Sequence, residues 1–174
     1  MATQNFEDTD AGRFLLNAVQ YLSMARLVTD TEIYRAQPRL FNRPLLNTLG
    51  VGVEVFLKSV YLSLGKTMDD MKSYGHRLDK LWDDAPELIR DRVLQAAEKT
   101  NDDFQAEGIA PARTVNFRDD FVESLRNLSG RHHLGGSQLR YLAPAGTLAT
   151  RPGLLIYAFH AVAMDCLKRP PFGL

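Results

Sequence analysis

Cysteine is almost missing from this chain, with Cys166 the only one among 174 residues. A lone thiol closes no internal disulfide, so the fold must stand on packing, and the usage is that of a reducing compartment. Long apolar runs are missing too. No stretch reaches the roughly 18 apolar residues that a membrane span needs, because Glu54 and Lys58 interrupt the most apolar segment. Residues 1–12 are polar and acidic, without the basic start and apolar run of a signal peptide. These absences predict a soluble, cytoplasmic protein with no membrane association. Charge of either sign is not in excess, with 21 basic and 21 acidic side chains. Strand signals, internal repeats and low-complexity runs are lacking as well.

What is present is helical periodicity and enough apolar residues for one core. At 45% hydrophobic, a chain of this length can bury roughly 70% of its unfolded surface without a staple. It is expected to form one domain over residues 1–174. Phe14, Leu15, Val19, Leu22 and Leu27 predict a first helix from Thr9 or Asp10 to Val28. Residues 35–42 read as a loop. Pro44 suits the first turn of a second helix, which runs to Leu64 before Gly65 and is apolar on most faces, as a central helix would be. Further helices are expected from His76 through Trp82, over Glu87–Lys99, Phe117–Leu128 and Leu154–Lys168. Thr100–Thr114 reads as a connection, and an irregular stretch from Gly130 holds an extended piece at Gln138–Leu142. The sum is an all-α antiparallel bundle of five or six helices, with Phe56, Val60, Leu78, Leu81 and Trp82 in its core.

The familiar motifs fail on inspection. Leu64-Gly65-Lys66-Thr67 ends like a phosphate-binding loop, but Val60 stands where that loop needs a glycine, and no strand precedes it. Gly50 and Gly52 begin a dinucleotide fingerprint that Val55 breaks, so they are read as sites of close helix contact. His76, His132, His133 and His160 have no second ligand at i+3 or i+4, and the sequence therefore predicts neither a metal centre nor a cofactor. The Asp pairs at 69–70, 83–84, 102–103 and 119–120 read as caps and solvated charges.

Two constellations remain. Glu54 and Lys58, four apart on one helix, attract across a single turn. With His76 at the next helix junction, they are expected to form a polar clasp. The second is Arg126-Asn127-x4-His132, with His133 adjacent. A guanidinium fork suits phosphate and a histidine can exchange a proton near neutrality, so the group suits RNA phosphodiester cleavage. With 15 arginines in the chain such spacing is common, and the blander reading sets Arg126 against a helix dipole and His132 in a loop. The stretch 126–174 holds six basic residues and only Asp165 as an acid. That surplus permits contact with a phosphate backbone, and it equally suits a solvated face.

Glu54-x3-Lys58 followed by Gly75-His76-x-Leu78-x2-Leu81 resembles the helical core of the HEPN superfamily. Arg126-Asn127-x4-His132 resembles its R-x4-6-H signature, and Leu139-Arg140-Tyr141 is similar to a late L-R-Y element of several HEPN-like groups. The resemblance implies a helical bundle that commonly forms homodimers, so that two R-x4-6-H motifs meet. It further implies either a metal-independent endoribonuclease of a toxin or defence system, or a non-catalytic module acting through protein or nucleic-acid contacts. On the enzyme reading Arg126 would hold the scissile phosphate, Asn127 would orient it, and His132 or its neighbour His133 would move the proton. The apolar residues of the last helix, Leu154, Leu155, Tyr157, Phe159, Val162 and Leu167, fall on more than one face and support the homodimer expectation.

Overall fold

A computed structural model describes residues 6–133 and 152–169, and among these residues there are eight α-helices and no strand. Five helices are long: α1 (Asp10–Thr29), α3 (Pro38–Ser63), α6 (Glu87–Ala106), α7 (Phe117–His133) and α8 (Pro152–Lys168). Three are short: α2 (Glu32–Ala36), α4 (Met68–Tyr74) and α5 (Leu78–Asp83). The all-α bundle expected from periodicity is what forms.

α1 starts where its sequence says it should. Thr9 is the N-cap, and its hydroxyl accepts from the Gly12 N–H at 3.0 Å. Its buried stripe of Leu15, Ala18, Leu22 and Ala25 lies on α3, the most extensive helix contact among the described residues. Gly50 and Gly52 make close approaches on α3. A Cβ on Gly52 would stand 3.0 Å from Leu22, and one on Gly50 would stand 2.7 Å from the His132 ring. α3 is the central helix, with Leu49, Val53, Phe56, Leu57 and Val60 sealed from solvent. It is also the one described helix long and apolar enough to cross a bilayer, yet 67% of its most apolar stretch is buried in the bundle. A core helix passes the same test for that reason.

An aromatic cluster joins four helices. Phe159 of α8 lies 5.9 Å from Phe56 of α3, 5.9 Å from Trp82 of α5 and 6.3 Å from Phe121 of α7, measured between ring centroids. Around it Leu155, Ile156, Ala158, Val162, Ala163 and Cys166 are also buried. The apolar surplus of this helix is therefore largely absorbed within the chain, which removes the main residue-level motive for a homodimer through α8.

Several boundaries differ from expectation, each for a physical reason. α3 begins at Pro38, where a missing N–H costs nothing, and it carries Pro44 inside, so much of residues 35–42 is helix instead of loop. α4 was not expected. Thr67 and Asp70 start it with reciprocal side-chain and backbone bonds, Asp70 N–H to Thr67 Oγ1 at 3.2 Å and Thr67 N–H to Asp70 Oδ2 at 2.7 Å. α6 runs beyond Lys99 because Thr100 and Asn101 are still on its buried face, and Asn101 holds the Pro111 carbonyl at 3.2 Å. α7 runs past Leu128 and through Gly130, since Ser129 and His132 continue the buried side. Gln138–Leu142 and the Leu139-Arg140-Tyr141 element lie outside the described residues.

Candidate functional site

The polar centre of the bundle is Glu54, a carboxylate buried in the middle of α3. Lys58, one turn on, donates to its Oε1 at 2.6 Å and also to the Gly75 carbonyl at 2.9 Å. Gly75 ends α4 with φ of +54°, a conformation that side chains resist, and this turn presents both its own carbonyl and the following His76 to the α3 pair. His76 Nδ1 donates to Glu54 Oε2 at 3.0 Å. The expected clasp of Glu54, Lys58 and His76 is thus one assembly, fastening the α4–α5 junction to α3.

A third donor joins it from 78 positions away. His132 Nε2 donates to the same Oε2 at 2.8 Å, and the His132 ring stands edge-on to His76 at 5.8 Å. The two histidines differ in access, since the His132 side chain is 7% exposed and that of His76 is 66% exposed. Burial pushes the Glu54 carboxyl up, but the hydrogen bonds from His132, Lys58 and His76 outweigh it and pull the group down to about 2. Glu54 is therefore a fixed negative charge. His132 Nδ1 is buried over Gly50 and meets no hydrogen-bonding partner among the described residues.

Arg126 is elsewhere. It is exposed on α7 and pairs with Asp83 at 3.5 Å, with both side chains more than half open to solvent. Six residues turn a helix through about 240°, so Arg126 and His132 project about 120° apart, one to the surface and one to the core. Asn127 is exposed and holds Glu123 at 3.4 Å. The Arg126, Asn127 and His132 set is not assembled into one cleft. Seven residues from Arg126, almost two full turns, bring His133 back to its face. Arg126 and His133 do line one groove of about 330 Å³ between α5 and α7, with Arg77, Asp79, Asp83, Ser129 and Gly130. Within it Arg77 forks onto Asp79 and holds that carboxyl well below its usual range, so the arginines are largely neutralised by neighbours.

Sequence reasoning missed His132 as a partner of Glu54 and Ser129 as a partner of Asp79. Ser129 Oγ accepts from the Asp79 N–H at 3.0 Å and donates to Asp79 Oδ1 at 2.7 Å. Neither pairing has a sequence signal, because both cross from α7 to distant elements. The shared face of Arg126 and His133 did have one, the seven-residue spacing. A metal-ligand set also emerges only in three dimensions: one ligand atom each from Glu54, His76 and His132 lie within 4.8 Å of one another. No family model, curated protein or solved structure matches this chain.

Proposed function

We propose that the chain is a HEPN-like helical module that works by binding and does not cleave RNA through His132. The observation that carries this reading is the placement of His132, buried and bonded to Glu54 on the side of α7 away from Arg126. A proton carrier must reach the substrate. The likeness to HEPN cores is supported by the way Glu54, Lys58, Gly75, His76 and His132, taken from three separate motifs, join in one hydrogen-bonded frame. In the binding reading these residues are architecture. A second reading, RNA cleavage by Arg126 with His133, is favoured by their shared groove.

Incubating the full chain with mixed-sequence RNA in the presence of a chelator separates the two. The expected result is intact RNA for the wild type, His132→Ala and His133→Ala alike. Cleavage that persists in chelator and falls about 10²-fold or more in both Arg126→Ala and His133→Ala would establish the enzyme instead.

The surface proposed for contact is the row of Tyr21, Met24 and Leu27, three residues apart on the open side of α1, and the partner is a second copy of the chain. A net charge of zero leaves two copies without mutual repulsion. Light scattering should give twice the chain mass for the wild type and the chain mass for Leu27→Glu. A monomeric wild type at micromolar concentration would remove the homodimer.

A further inference from the structure

We propose that Glu54, His76 and His132 form a binding site for a zinc-like divalent cation where α3, the α4–α5 junction and α7 meet. Two imidazole nitrogens and one carboxylate oxygen are the donor set of an open zinc site, with a fourth position left for water. Each ligand comes from a different part of the chain, so the set lacks the short spacing by which such sites are usually read. His76 Nδ1 and His132 Nε2 stand 3.0 and 2.8 Å from Glu54 Oε2. Bonds of about 2.0–2.1 Å in tetrahedral geometry need ligand atoms about 3.3 Å apart. The two histidine–carboxylate distances must open by a few tenths of an ångström, and the two imidazole nitrogens, already within 4.8 Å of each other, must settle at that spacing to admit the ion. Glu54 and His132 are held in the core, whereas the His76 side chain, bonded to Glu54 on one side, is 66% exposed. The ion enters on the His76 side, and its water ligand faces solvent there.

The surroundings select the kind of metal. Lys58 occupies Oε1 at 2.6 Å, so the carboxylate binds through Oε2 alone and is held in place by the ammonium on its other oxygen. One available oxygen disfavours calcium and magnesium, which need several oxygen ligands. Imidazole-binding ions such as zinc, cobalt and nickel are favoured. On coordination through Nε2, the proton of a neutral His132 ring moves to Nδ1, which has no partner among the described residues. The affinity is accordingly lower than that of a site whose outer nitrogen is bonded. This inference is independent of whether the α5–α7 groove cleaves RNA.

The test uses the full chain stripped with a chelator, then titrated with zinc by calorimetry and with cobalt by visible absorption. One ion per chain is expected, together with a higher thermal midpoint in zinc. His76→Ala should bind at least about tenfold more weakly and lose the zinc-dependent rise in midpoint, measured against its own metal-free form because it also removes one donor to Glu54. His133→Ala should bind as the wild type does. No heat and no thermal shift at ~100 µM zinc would overturn the proposal. So would binding that survives His76→Ala, or binding that disappears in His133→Ala.

Discussion

Glu54→Ala is expected to lower the folding free energy by about 3–5 kcal/mol, because it removes the acceptor shared by three donors and leaves a largely buried ammonium with the Gly75 carbonyl but no counter-charge. Urea denaturation should show this as a lower midpoint. A loss below about 1 kcal/mol would mean that the clasp relaxes into water and does little for the fold. The same carboxylate gives the protein an acid dependence with a definite sign. Its pKa falls from 4.5 to about 2 on folding, so its contribution is complete above pH 4.5 and disappears as pH falls from there toward 2. A shift of that size is worth about 3 kcal/mol. Other carboxylates, Asp79 among them, are also lowered, so the informative quantity is the difference between the wild type and Glu54→Gln. That difference should shrink between pH 5 and pH 2.5, and one that stays constant would refute the assignment.

Phe159→Ala should be as damaging, by about 3–5 kcal/mol, for an unrelated reason. The ring is fully buried and touches aromatic partners from three other helices, so its removal opens a cavity at the one place where α3, α5, α7 and α8 all meet. In a chain of this length that corresponds to a thermal midpoint lower by about 6–20 °C. Phe104→Ala is the comparison. Its ring stacks edge-on against Tyr157 at 5.1 Å but is only partly buried, and its loss should be distinctly smaller. If the two substitutions cost the same, Phe159 is not the centre of packing described above.

The long helices were legible because each buries a stripe whose spacing is local information. Leu15, Val19 and Leu22 turn α1 inward as their spacing predicts, whereas Leu27, read in the same stripe, is 70% exposed. Helix ends were less legible where tertiary burial overrides a local breaker. Gly130 reads as a stop, yet the α7 backbone continues because Ser129 and His132 on either side have partners on α5 and α3. The Asp69-Asp70 pair alone reads as a cap or solvated charge, and α4 was missed because its start depends on the reciprocal bonds between Thr67 and Asp70 and not on an apolar stripe. In the polar frame, Glu54 and Lys58 were legible from their single-turn spacing and His76 from its position at the junction. His132 was not, since only the packing of α7 on α3 over the bare Cα of Gly50 brings it to Glu54.

The bond between Ser129 and the backbone of Asp79 gives α5 a peculiar standing. Six residues are too few for a helix to persist alone, and Arg77 at its N-cap offers no side-chain bond to its free N–H groups. The missing acceptor arrives from 50 positions later. During folding the chain must therefore close a long loop through α6 and begin α7 before α5 has its first turn secured. Most helices are the quick, local part of a folding reaction. α5 is a helix in shape, but in its dependence on distant sequence it behaves like a strand waiting for its neighbour.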